Sequence, residues 1–99
     1  MIKKRSDFKK IIIAYEPIWS IGSGIVPKTD DLKKNIILLK KFIRLKYRLK
    51  NSPRIIYGGS VDKKNIDNFK SIKDLDGFLV GGASKSSKNF IDIIKNFYK

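Results

Sequence analysis

The sequence predicts an α/β fold of order β-α-β-α-β-α, with three parallel strands covered by helices. Three observations lead there. Short runs rich in branched apolar residues recur at Ile11–Ala14, Arg54–Tyr57 and Gly77–Val80. Each run is followed by a glycine-bearing loop or turn. Between the runs, apolar residues recur at steps of three and four, the period of a helix. At 99 residues the chain forms one domain at most, with enough apolar content for a modest core.

Residues Met1 to Lys10 are polar, basic and aperiodic, so 1–10 is expected to be a frayed lead-in and 11–99 the packed part-domain. Lys10 to Ala14 reads as a fully buried parallel strand, bounded by charge and then by Pro17. Pro17 to Lys28 is a loop, marked by its prolines and by Gly22-Ser23-Gly24. Thr29 is the expected N-cap of the first helix, with Asp30 and Asp31 facing the positive end of its dipole. Leu32, Ile36, Leu39, Ile43 and Tyr47 give that helix one apolar stripe. It is expected to end near Lys50, where Asn51-Ser52-Pro53 stops it. Arg54 to Tyr57 is the second strand. A short helix fits between Lys63 and Lys70, using Ile66 and Phe69. Gly77 to Val80 is the third strand. The last helix runs from about Ser87 to Phe97, with Phe90, Ile93, Ile94 and Phe97 on one face.

The strand ends carry the chemistry. Ala14-Tyr15-Glu16-Pro17-Ile18-Trp19-Ser20-Ile21-Gly22-Ser23-Gly24 sets one carboxylate after a strand and a glycine-rich loop after the carboxylate. Tyr57-Gly58-Gly59-Ser60 and Leu79-Val80-Gly81-Gly82-Ala83-Ser84 follow the other two strands. By position alone, a single glutamate near a strand end is most often solvated, and a lone Gly-Gly is most often a plain turn. Taken together, the three strand ends resemble triosephosphate isomerase, from about Ile11 to the C-terminus. The resemblance covers only the last three strand–helix units of that enzyme, which implies a partial (β/α)8 barrel. A complete eight-stranded barrel needs about 250 residues.

The resemblance implies roles for particular residues. Glu16 would be the catalytic base, moving a proton between the two carbons next to the substrate's oxygens, a role for which this enzyme is a standard illustration. That chemistry needs a carboxylate whose basicity rises as water is excluded. Ile21 and Leu79 would form the apolar clamp that excludes it; the plainer reading makes both ordinary hydrophobes. The loop Pro17 to Lys28 would be the phosphate-gripping lid, again a stock example of a gating segment. The backbone N–H groups of Gly22, Ser60, Gly81 and Gly82 would hold the phosphate, since glycine lets backbone donors approach closely. Trp19 and Tyr57 would serve packing and lid support. Pro27 falls where many family members have a residue whose N–H bonds to the tyrosine matching Tyr57. Proline has no N–H, so that latch is expected to be absent or replaced here.

Composition excludes several classes of function. There is no cysteine, so disulfides and thiolate zinc sites are unavailable. Asp74 and Asp76 lack a third ligand spaced for an oxygen cage, and neither metal nor cofactor is expected. No apolar run approaches the roughly 18 residues of a membrane span, and no signal peptide is evident, so the cytoplasm is expected. The net charge of +14 points toward a polyanion. The lysines are spread over every segment, however, and Lys33, Lys34, Lys40, Lys41 and Lys46 alternate with the apolar stripe as a solvated helix face does. A codon bias toward Lys, Ile and Asn explains the same composition, which disfavours nucleic acid as partner.

The absence of histidine weighs most. The resembling enzyme polarises its substrate's carbonyl with a neutral histidine and places an early lysine near the substrate's charges. Both belong to the first five strand–helix units. The expected activity is therefore interconversion of dihydroxyacetone phosphate and glyceraldehyde 3-phosphate, but only after complementation by an N-terminal portion. The isolated chain is expected to be inactive, and its open sheet edges favour self-association. A vestigial product of a split gene is the alternative reading, and a basic nucleic-acid-binding protein is a third.

Overall fold

The computed structural model describes residues 8–17 and 25–98. Six main elements alternate along the chain: β1 (Ile13–Tyr15), α1 (Thr29–Lys46), β2 (Ile55–Tyr57), α2 (Ile66–Phe69), β3 (Gly77–Phe78) and α3 (Ser87–Phe97). A 3-10 turn, Gly82–Lys85, leads into α3. The strands form one parallel sheet in the order β1-β2-β3, with Tyr15 opposite Tyr57 and Tyr57 opposite Phe78. This is the alternation of a partial α/β barrel, and the sheet is open.

One core holds the helices to one face of the sheet. Leu32 and Ile36 of α1, Ile66 and Phe69 of α2 and Ile93 of α3 close over Ile55 and Tyr57 of β2. Ile13, Tyr15, Phe78 and Val80 pack against the same cluster. Side chains alternate along a strand, so the intervening positions face the other way. Ile12, Ala14 and Leu79 are accordingly exposed on the face that no helix among the described residues covers. A chain of ring contacts runs through the core, from Tyr57 to Phe69 (5.3 Å), Phe69 to Phe78 (6.5 Å) and Phe78 to Phe97 (6.1 Å). Such pairs add roughly 0.5–1.5 kcal/mol each beyond burial itself.

Several expectations need correction. β1 is not fully buried: Ile12 beside it is 55% exposed, because an edge strand with one bare face covers only alternate side chains. All three strands are shorter than expected. Even so, backbone bonds from Gly58 N–H to the Tyr15 carbonyl (2.9 Å) and from Leu79 N–H to the Tyr57 carbonyl (2.8 Å) carry the ladder one residue further. Thr29 is the first helical residue rather than the N-cap, which falls on Lys28 without a side-chain bond. Helix α1 stops at Lys46, short of Lys50, because Arg48 adopts the left-handed conformation (φ 53°). Leu49 N–H then reaches back to the Arg44 carbonyl at 2.8 Å, a closure usually built on glycine. Helix α2 is a single turn preceded by turn residues 63–65. In α3 the bounds agree with expectation, and the Ser86 hydroxyl caps it by accepting from Asn89 N–H. Phe90 and Ile94 on its apolar face are exposed, while Ile93 is buried.

Packing also begins before residue 11. Phe8 is 7% exposed and its ring lies 5.0 Å from that of Tyr47, while the Lys9 carbonyl accepts from Arg54. The rest of the expected lead-in, residues 1–7, lies outside the described residues.

Candidate functional site

In a parallel sheet all strands end on the same side, so the residues following β1, β2 and β3 share one rim. Glu16 follows β1, Gly58-Gly59-Ser60 follow β2, and Leu79 to Gly82 follow β3. Alternation puts Glu16 on the same face as Ala14, the face without helices, and its side chain is exposed.

Glu16 and Gly58 meet at this rim. The bond from Gly58 N–H to the Tyr15 carbonyl sets the two residues abreast. A Cβ added to Gly58 would lie 2.7 Å from Glu16 Cγ and 3.0 Å from its Oε1. Glycine at 58 is thus what admits the carboxylate at its present position. The sequence reading places Gly58 in the glycine cluster of the phosphate argument and not against Glu16, because a cross-strand contact depends on a register that no local pattern displays.

Leu79 is 43% exposed on the same face as Glu16 by alternation. Tyr57 is fully buried with its ring edge-on to Phe69, so its packing role is plain. Ser60 is half-buried, and its carbonyl accepts from the Asn65 side-chain amide at 3.0 Å. Gly81 (φ −89°, ψ −106°) opens the 3-10 turn, where its carbonyl accepts from both the N–H (2.9 Å) and the hydroxyl (2.6 Å) of Ser84. A Cβ at Gly81 or Gly82 would meet no atom of the described residues within 4 Å, so neither position requires glycine for packing among them. Trp19, Ile21 and Gly22 lie outside the described residues, as does the lid segment 18–24.

Lys40 was misread from the sequence. Lys40 is not part of a solvated face: it is 12% exposed and pairs with Asp76 Oδ2 at 2.8 Å. The same oxygen accepts from Ile55 N–H at 2.8 Å, and Asp76 N–H donates to the Ile55 carbonyl. Among the described residues, no three of His, Cys, Asp and Glu gather in a way that could hold a metal ion. A groove lined by Phe8, Leu49 and Arg54 lies at the opposite end of the sheet, away from Glu16. No helix among the described residues is long and apolar enough to cross a membrane.

Comparison with known proteins gives this rim its context. The family model for triosephosphate isomerase matches residues 1–97. This chain belongs to the triosephosphate isomerase family. Triosephosphate isomerase of Mycoplasma mobile is 50% identical over 95 residues, covering 95% of this chain and 36% of that protein. The enzyme of Cytophaga hutchinsonii is 40% identical, covering 92% of this chain and 37% of its own length. That of Yarrowia lipolytica is 41% identical, with 97% and 39% covered. The chain therefore spans 36–39% of the length of these three relatives. The family match starts at residue 1, ahead of the boundary expected at residue 11.

Proposed function

We propose that this chain supplies the carboxylate base and much of the substrate-phosphate cradle of a triosephosphate isomerase. It would interconvert dihydroxyacetone phosphate and glyceraldehyde 3-phosphate when the five other strand–helix units, on the same polypeptide or a separate one, complete the barrel. The observation that carries this reading is the placement of Glu16 on the uncovered sheet face, seated against Gly58. The glycine-rich ends of β2 and β3 stand on the same rim. Family membership supports it.

Glu16 takes the proton from the carbon beside the substrate carbonyl and returns it to the neighbouring carbon. The N–H groups of Gly22, Ser60, Gly81 and Gly82 hold the phosphate, for which the open space around Gly81 and Gly82 leaves room. Closure of the segment after Pro17 brings Ile21 and Leu79 over the carboxylate and removes water, with Trp19 and Tyr57 bracing the closed lid. The completing units bring the group that polarises the carbonyl, which a chain without histidine supplies by no imidazole of its own. The cytoplasm is the proposed setting.

The test is to mix this chain with the N-terminal units of the Mycoplasma mobile enzyme and follow isomerisation of glyceraldehyde 3-phosphate. The chain alone should be inactive and the mixture active. Glu16→Gln should lower kcat of the mixture by on the order of 100- to 10,000-fold. A mixture without turnover favours the vestigial reading. Turnover unaffected by Glu16→Gln removes Glu16 as the base.

A further inference from the structure

Among the described residues Asn65 is the buried polar one, 9% exposed, and nothing in the proposed chemistry uses it. Its side chain works in two directions. The Oδ1 accepts from Asp62 N–H at 2.9 Å, while the Asp62 carboxylate accepts from Lys64 N–H and Asn65 N–H, both at 2.8 Å. This is the reciprocal arrangement of a capping box, with Asp62 in the capping position ahead of α2. That half of the amide serves the helix.

The other half does not. Asn65 Nδ2 donates to the Ser60 carbonyl at 3.0 Å, five residues back and outside the helix. A cap needs only an acceptor at position 65, and an aspartate would supply one. The donor is an extra, directed at the loop that follows β2. Gly59 and Val61 are buried on either side of Ser60. With both neighbours packed and its carbonyl held, Ser60 has little freedom to turn the peptide that carries its N–H.

We infer that Asn65 is a positioning residue for the phosphate grip, fixing Ser60 so that its N–H keeps its aim at the substrate phosphate. The inference rests on the phosphate role proposed above for Ser60. Its expected mark is on KM, because a phosphate contact made equally in ground and transition states changes binding and leaves turnover alone.

The experiment uses the completed barrel, with this chain 15N-labelled, titrated with inorganic phosphate and then assayed. Two variants separate the two halves of the amide. Asn65→Asp keeps the acceptor for Asp62 N–H and loses the donor to Ser60. Asn65→Leu is neutral and has the same branched side-chain skeleton but loses both. In the parent, the Ser60 amide signal should shift with phosphate. In both variants that shift should weaken, with KM raised about tenfold and kcat changed less than about threefold. Melting temperature should fall in both variants, since each leaves the Ser60 carbonyl without its donor, and KM of the folded protein should rise in both, which a purely structural role would not produce. If Asn65→Leu melts lower yet keeps the parent's KM, the inference is overturned and the Ser60 reading stands. A raised KM confined to Asn65→Asp also overturns it, since added negative charge then explains the effect. If the parent's Ser60 signal ignores phosphate, the Ser60 reading fails and the inference with it.

Discussion

Two carboxylates, Asp76 and Glu16, stand at opposite ends of the same three-stranded sheet, and their surroundings differ in kind. Asp76, just before β3, is tied to its neighbours through one oxygen: its Oδ2 holds Ile55 N–H and the Lys40 ammonium, both at 2.8 Å. Glu16, just after β1, lies exposed against a glycine and makes no hydrogen bond or ion pair with any described residue. One end of a parallel α/β sheet ties its strands down, and the other leaves polar groups uncommitted. The difference lies in which end of a strand a carboxylate occupies, since the residue type is acidic in both cases. Changes at the two ends should accordingly be read by different measurements, activity at the Glu16 end and stability at the Asp76 end.

The largest effect should come from Gly58→Ala. The new Cβ would sit 2.7 Å from Glu16 Cγ, so the carboxylate must move. Misplacement by about 1 Å can cost on the order of 100-fold in rate. In the completed barrel kcat should fall by about that factor. Stability should change little, because the displaced side chain is exposed and has room to swing away. A large loss of stability with unchanged kcat in the folded fraction would mean that Gly58 serves the sheet rather than the carboxylate.

Asp76→Ala should do the reverse. It strands Ile55 N–H, a backbone donor at the start of a buried strand, and leaves Lys40 without its partner. Losing one buried hydrogen-bond partner costs about 1–3 kcal/mol. Denaturant unfolding of the completed barrel should show a destabilisation in that range, with KM and kcat of the folded protein unchanged. An altered kcat would break the division between the two ends.

The same contrast explains what could be read from the sequence. The alternation of strands and helices was legible, because each helix carries an apolar stripe and each strand a branched run. The bounds of α3 were legible too, since Phe90, Ile93, Ile94 and Phe97 recur at helical steps. That one glutamate and the glycine clusters share a rim was visible, because they follow consecutive parallel strands. The contacts across the sheet were not. Glu16 against Gly58 depends on the β1–β2 register, and strands this short do not display one. Lys40 was mistaken for a surface lysine, although it stands four residues after Ile36 and three before Ile43, within the apolar stripe itself. A cation in that row is a sign of a buried partner. Asn65 left a similar trace, three residues after Asp62 and just before a helix, at capping-box spacing. Residues 18–24 hold the remaining expectations, Trp19, Ile21 and Gly22, and lie outside the described residues.

The smallest effect should come from Lys40→Met, which divides the Asp76 contact into its parts. Methionine keeps an apolar stem in the stripe between Ile36 and Ile43 and removes only the charge. The hydrogen bond from Ile55 N–H to Asp76 survives the change, whereas Asp76→Ala loses both interactions. Asp76 is 34% exposed, so water still solvates the carboxylate and screens its attraction to the ammonium. Ion pairs reached by solvent are worth about 0–1 kcal/mol, and the loss on Lys40→Met should fall in that range. Raising the salt concentration should shrink the gap between the parent and Lys40→Met, while the gap to Asp76→Ala should persist. If Lys40→Met costs as much as Asp76→Ala, then the ion pair and not the backbone bond holds this end of the sheet. The sheet's two ends would then differ in charge pairing rather than in how their backbone groups are satisfied.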